Sequence, residues 1–444
     1  MISKFKKRIC VFFLLLIMLS LTSLKKDSSQ ASNSDVSEPY PVFNAINATS
    51  STEYFNETSY PRYSLVARPI DMILYPNKGN PKIVEFNESF EIVVAAEADT
   101  DEWEFFLIND TVIIDLNILN SNYFNNRWSF NVEPAVNSVG LYDLQLNCSQ
   151  GDDYQTHSVK IVEERTYPFN FLHISDSHFP SYDIYNTTDI DLELIQELKT
   201  LDVEFAIFTG DLIEGASAQM FVDPATGYSL AASVQIKLGL WAFDLLDMPV
   251  YIIGGNHDLD SSAPLPDDPP VEWKKYLGSY PIMNFDFLNW SFIGYSATIN
   301  GLSATYLNDV KAILNDKSVN PNVMFYHSDY QSQATNLRKS YNIEVMLYGH
   351  EHHYEQYVSK NTLYYCQSPM FYNESTVFTV LNSTAVSLKG TEYDFSPLIF
   401  YTEIPTESET PTESSSLALF YMLPMIILIA KVLKNRKRIF ELNL

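Results

Sequence analysis

Five short apolar runs in this sequence end in side chains that can hold a metal ion. Phe169–Ile174 runs into Ser175-Asp176-Ser177-His178, and Phe205–Phe208 into Thr209-Gly210-Asp211. Val250–Ile253 runs into Gly254-Gly255-Asn256-His257-Asp258. Val323–Tyr326 is followed by His327, and Val345–Tyr348 by Gly349-His350-Glu351-His352-His353. Carboxylates, imidazoles and amide oxygens are hard to borderline ligands. Each pattern alone is common, and a lone histidine is more often a hydrogen-bonded structural residue. The ordered set D-x-H, GD, GNHD, H and GHxH, each member after an apolar run, points to metal chemistry. Of the eight histidines only His157 lies outside 173–353, and five of the rest stand at these ends. His173, inside its run, reads as structural, and His353 reads equally as a solvated neighbour.

Such ends meet in space only if the runs are strands of one kind of fold. Asp189–Thr200 and Leu230–Leu246 have helical spacing and lie between the apolar runs. Strand–helix alternation predicts a parallel-type sheet flanked by helices, with its site beyond the carboxyl ends of the strands. A β-rich ending follows around Thr362–Leu388. Upstream, 63–165 carries short β-rich runs without helical stretches, among them Phe90–Ala95, Trp103–Ile108, Thr111–Leu116, Gly140–Leu146 and His157–Val162. Regular short strands predict a small β-sandwich, with Tyr142 near a strand corner.

The five motifs resemble those of the calcineurin-like metallophosphoesterase superfamily, over about half the chain, 166–397. Trp273–Gly278 and Phe285–Gly294 resemble that family's linking segment. The resemblance implies an α/β class fold, a four-layer α/β/β/α sandwich here preceded by a small all-β (Ig-like) sandwich. It also implies two metal ions. By motif position, Asp176, His178 and His352 would bind one metal and Asp211 would bridge both. Asn256, His327 and His350 would complete the other. His257 would lie over the phosphate and stabilise the transition state or protonate the leaving oxygen, with Asp258 orienting it. The order of domains is similar to that of purple acid phosphatases. Their ligating tyrosine is replaced here by Glu214, and their first motif lacks the histidine found at 178. The D-x-H set is closer to the cyclic-nucleotide phosphodiesterase and acid sphingomyelinase branches.

Phosphate esters repel anionic nucleophiles. Two divalent ions about 3.5–4 Å apart neutralise the phosphate oxygens and turn a bridging water into hydroxide. Mixed imidazole and carboxylate ligands suit Fe, Mn or Zn better than Ca. The paired glycines 254 and 255 let the backbone turn tightly beside the site. The loops Gly215–Tyr228 and Ser261–Val271 contain no Arg or Lys, which favours a single phosphoester group over one with a second phosphate. The expected activity is a dinuclear-metal phosphoesterase acting on a mono- or diester. The alternatives are a phosphoester-binding module without turnover, or an adhesion protein displayed through the β-sandwich.

A net charge of −27 argues against a nucleic-acid-binding surface. Four basic residues within 1–8 precede the apolar run Ile9–Leu24, as in a secretory signal assigned to 1–26, followed by a linker at 27–62. A Ser/Thr/Pro/Glu stalk at 398–416 leads to an apolar segment at 417–433 and a basic tail at 434–444. This order predicts a single-pass protein of the cell membrane, its catalytic part outside. Nine N-x-[ST] triplets, from Asn47 to Asn382, agree with that side. Cys148 and Cys366 are left to pair or to stay free once Cys10 is assigned to the signal.

Overall fold

Alternate burial along Phe90–Ala95 and Gly140–Cys148 marks strands with one face in a core and one in solvent. The computed structural model describes residues 70–395 apart from 180–188, 216–220, 223–228, 231, 260–270, 279, 298–300, 329–331 and 371–373. The expected signal, linker, stalk, membrane segment and tail lie outside the described residues. Among the described residues no helix is long and apolar enough to cross a membrane.

The first part is all β. Its strands are β1 (Ile73–Tyr75), β2 (Lys82–Glu85), β3 (Phe90–Ala95), β4 (Glu104–Ile108), β5 (Ile113–Phe124), β6 (Arg127–Pro134), β7 (Gly140–Cys148) and β8 (Gly151–Val162). They form one ladder in the order β1-β3-β6-β5-β4-β7-β8-β2, antiparallel except for the β2–β8 pair. The long β5 belongs to both halves: Ile113–Asp115 pair with β4, and Leu116–Phe124 with β6. Buried residues of all eight strands share one core, including Phe105, Phe130 and Tyr142. The Tyr142 hydroxyl donates to the Ser138 carbonyl at 2.9 Å, which ties the strand to the corner before it.

From β9 (Phe169–Ile174) the chain alternates. There follow α1 (Asp189–Leu198), β10 (Phe205–Thr209), β11 (Phe221–Val222), β12 (Ser229–Leu230), α2 (Ala232–Asp244), β13 (Val250–Ile253), α3 (Asn256–Leu259) and α4 (Val271–Leu277). Next come β14 (Ile282–Phe287), β15 (Trp290–Tyr295), α5 (Ala304–Asp316), β16 (Asn322–Phe325), α6 (Ser332–Ser340) and β17 (Val345–Tyr348). The last strands are β18 (Glu355–Ser359), β19 (Thr362–Cys366), β20 (Thr376–Asn382), β21 (Ala385–Leu388) and β22 (Thr391–Asp394). One six-stranded sheet runs β13-β10-β9-β20-β21-β22, the other β14-β15-β16-β17-β19-β18.

Strands β10, β13, β16 and β17 are buried at every residue, as strands covered on both faces must be. One core joins the sheets: the Phe171 and Phe205 rings lie 5.5 and 5.2 Å from Phe292 of the other sheet. A second core lines the helices, with Leu198, Phe243, Val310 and Leu337. Of the two stretches expected to resemble a linking segment, Trp273–Gly278 lies on and just after α4, and Phe285–Gly294 lies in the β14–β15 hairpin. Cys148 and Cys366 do not pair. Both are free, one ending β7 in the all-β part and the other buried at the end of β19.

Candidate metal centre

The strand ends that the sequence singled out are laced together. The N–H groups of Asp176 and His178 donate to the carbonyls of Gly210 and Asp211, both at 2.9 Å. Within the second sheet Gly349 N–H donates to the His327 carbonyl at 3.0 Å, and between the sheets Met370 N–H donates to the Ser175 carbonyl at 2.8 Å. The turns are sharp enough to hold Asp176, His178, Asp211, His350 and His352 at φ between 49° and 71°. Non-glycine residues enter this left-handed region at a cost of order 1–3 kcal/mol each, and they gather where a site over-determines the backbone. At Gly255, a Cβ would stand 2.3 Å from Asp211 Oδ1, and at Gly349 it would stand 2.2 Å from Asp176 Oδ2. Glycine is required there because the neighbouring loop presses its carboxylate onto the backbone.

The geometry calls for cations. His327 Nδ1 lies 2.8 Å from the Thr209 carbonyl, which only accepts, so Nδ1 carries the proton. On a neutral ring its Nε2 is a lone pair, and it faces Asn256 Oδ1 at 3.0 Å and Asp211 Oδ2 at 3.0 Å. Three acceptors directed at one point need a positive charge between them. Asp176, His178 and His352 converge in the same way. His178 Nε2 is 3.3 Å from His352 Nε2, and His352 Nε2 is 3.4 Å from Asp176 Oδ1. Asp176, His178 and His352 form one group able to hold an ion, Asp211, His327 and His350 form another, and His178, Glu214 and His257 form a third that shares His178 with the first. Asp211 Oδ1 accepts the His257 N–H at 2.8 Å. Its Oδ2, buried and without a well-aligned hydrogen bond among the described residues, faces His327 Nε2 and lies 3.8 Å from His178 Nε2.

The electrostatics agree. Burial alone would lower the pKa of His327, but the Asp211 carboxylate outweighs it and lifts the ring to about 9. His178 also reaches about 9, against burial, through Glu214, Asp211 and Asp176. Burial opposes ionisation of Asp211, while His327 and His178 hold it well below the usual carboxylate range. The pocket therefore favours positive charge, whether carried by protons or by metal ions.

His257, half-buried, lies against the first cluster with its ring 4.7 Å from that of His178. One expectation is corrected here. Asp258 does not hold the His257 ring. Its carboxylate accepts the backbone N–H groups of Gly255 at 2.8 Å and of Leu212 and Ile213 at 3.1 Å. Burial and the charge of Asp211 push Asp258 up to about 7, against those three bonds. The His257 ring is held instead by the Glu214 carbonyl, 2.6 Å from Nδ1. Glu214 was read from the sequence only as a missing tyrosine, and nothing in its spacing marks it. His173 is buried with Nε2 3.0 Å from Thr209 Oγ1, a structural setting, and His353 is exposed.

Residues 169–354 match the family model described as calcineurin-like phosphoesterase. No curated protein matches the chain in sequence. Similar solved structures include a putative 5'-nucleotidase from Staphylococcus aureus, 13% identical with a TM-score of 0.34, covering 58% of each chain. The phosphopantetheinyl hydrolase of Mycobacterium tuberculosis is 12% identical with a TM-score of 0.29, covering 45% of this chain and 90% of its own. Vacuolar Protein Sorting 29 from Cryptosporidium parvum is 10% identical with a TM-score of 0.27, covering 51% of this chain and 95% of its own. The stretch that matches the family model, 169–354, holds every residue of the two clusters, and it is a calcineurin-like phosphoesterase domain.

Proposed function

We propose that the chain is a membrane-anchored, extracytoplasmic, metal-dependent phosphoesterase hydrolysing a phosphomonoester or phosphodiester. The observation that carries this reading is the position of Asp211 Oδ2, which faces both ligand clusters at once. Asp176, His178 and His352 would hold one divalent ion, Asn256, His327 and His350 the other, and Asp211 both. Bound there, two such ions supply charge neutralisation at the phosphate and activation of a water. The imidazole and carboxylate donors favour Fe, Mn or Zn.

His257 serves as the proton donor in this reading. Its Nδ1 proton is engaged by the Glu214 carbonyl, so the doubly protonated ring would hand its second proton, on Nε2, to the leaving oxygen and keep the one on Nδ1. Asp258 acts through the backbone. By gripping Leu212, Ile213 and Gly255 it fixes the GD loop against the turn that presents Asn256 and His257.

The facing Phe171 and Phe292 rings support a four-layer α/β/β/α arrangement over 166–397, and the Tyr142 corner supports an Ig-like sandwich over 63–165. The membrane assignment rests on the apolar runs near the two ends of the sequence.

The test is hydrolysis of p-nitrophenyl phosphate and bis-p-nitrophenyl phosphate by the purified protein, with Mn, Fe or Zn added and with chelator. Release that chelation abolishes and metal restores is expected from at least one substrate, and the ratio separates monoesterase from diesterase. Two bound metals with no release from either would favour a binding module instead.

A further inference from the structure

Glu214 touches both histidines on which the proposed chemistry depends. Its carboxylate Oε2 lies 3.0 Å from His178 Nδ1, and its own carbonyl oxygen lies 2.6 Å from His257 Nδ1. The two rings cross at 80° with centroids 4.7 Å apart. Glu214 is itself held in place. Its N–H and that of Gly215 both donate to Gln235 Oε1 at 3.2 Å, and Gln235 Nε2 donates back to the Gly215 carbonyl at 3.4 Å. Gln235 is fully buried on α2.

Both contacts favour one tautomer: His257 Nδ1 is in hydrogen-bond geometry with its acceptor, and His178 Nδ1 stands at ion-pair distance from a carboxylate without ideal alignment. A carboxylate and a carbonyl only accept, so an Nδ1–H faces each of them. Nε2 is then a lone pair for a metal on neutral His178, and a second N–H for the leaving oxygen on doubly protonated His257. A histidine that donates from one nitrogen to a carboxylate is fixed in rotation and is more basic at the other. For His178, Nε2 is the atom that converges with His352 and Asp176.

We infer that Glu214 is a positioning residue for both halves of the site: its side chain aligns His178 as a metal ligand, and its carbonyl aligns His257 as a proton donor. The inference rests on the phosphoesterase reading above. It goes beyond that reading by making one residue, anchored by Gln235, the common support of ligand and acid.

The two contacts can be separated, because substitution removes the carboxylate and leaves the carbonyl. The experiment titrates metal-free protein with manganese(II), following free ion by electron paramagnetic resonance, for wild type, Glu214→Ala and Glu214→Gln. Wild type is expected to bind two ions. Glu214→Ala is expected to weaken one of them by about 10–100-fold and leave the other unchanged. Glu214→Gln keeps an acceptor oxygen and is expected to recover most of that loss. In the zinc-loaded protein with ¹⁵N-labelled histidine, Glu214→Ala should erase the fixed Nδ1–H pattern of His178 and spare that of His257. The Glu214 side chain is 34% exposed, so neither variant should lose the fold.

Equal affinity in Glu214→Ala and wild type overturns the inference. So does a fall from two ions to one in both variants, which would make Glu214 a ligand itself. Equal weakening of both ions together with a lowered melting temperature would mark a merely structural residue and overturn it too. Wild type that binds two ions without hydrolysing any ester would sink the enzyme reading alone, and the comparison of variants would still decide the role of Glu214. Wild type that binds no manganese would overturn both.

Discussion

Asp211 and His257 sit side by side, with the His257 N–H on Asp211 Oδ1, yet they fail differently when changed. Asp211→Asn keeps that hydrogen bond and the shape, and takes away the charge that faces both clusters. Hydrolysis should fall to background and bound metal should drop, while the circular dichroism spectrum stays that of wild type. His257→Ala leaves the ligand clusters alone, so bound metal should be retained while kcat falls by about 10²–10⁴-fold. Turnover like that of wild type in either variant would sink the role given to that residue. The residues of both clusters could be read in the sequence because metal chemistry restricts residue type, and strand ends restrict position. Asp258 was read as orienting His257, since the two are neighbours in the chain. Its real partners at 212 and 213 become neighbours only when the GD loop folds beside it. Glu214 was hidden for the same reason, because its target His178 lies on another strand end.

Strand β17, which delivers His350 and His352, starts from a buried carboxylic acid. Glu344 accepts the Asn322 N–H at 2.5 Å, and burial raises its pKa from 4.5 to about 7. A raised pKa means that the folded chain prefers the protonated form, whereas the unfolded chain ionises freely above about 4.5. Stability from this group is therefore full below pH 4.5 and declines until about pH 7. Glu344→Gln keeps an acceptor without the charge, so its urea midpoint should vary less over that window and exceed that of wild type at pH 8. Parallel curves for the two proteins would show that Glu344 does not control this slope. The strand itself was legible, since Val345–Tyr348 is an unbroken apolar run of the kind that both-face burial requires. The length of β5 was not. Its second half, Asn117–Phe124, is largely exposed on both faces, Ile118, Leu119 and Phe124 included, and it is a strand because β6 pairs with it, a partner no local pattern reveals.

The all-β part and the phosphoesterase part are joined by more than the chain between them. Strand β13 is the edge of its sheet, and Ile252 on that strand donates its N–H to the Gly79 carbonyl at 2.8 Å. The turn between β1 and β2 thus covers an edge that would otherwise stand open to other strands. A Cβ at Gly79 would stand 2.5 Å from Leu277 Cδ2, so any larger residue there has to push the end of that side chain aside. Beside it, buried Lys78 pairs with Asp244 at the end of α2, which Thr156 also approaches at 3.3 Å. Ile83 and Val162 of the all-β part enter the core that holds Phe169 and Tyr251. A module that served only for adhesion would have no need of such a seam, whereas a support for β13 would, because β13 runs directly into the turn that carries Asn256 and His257. Lys78→Ala should cost about 1–3 kcal/mol in urea unfolding, because it leaves the Asp244 carboxylate with only Thr156 and His157 beside it. Replacing both partners, Lys78→Met with Asp244→Leu, should return most of it, since an apolar pair leaves no buried charge behind. If Lys78→Ala unfolds at the wild-type urea concentration, the ion pair adds nothing to the seam, and the all-β part is held by the Gly79 strand contact and the shared core alone.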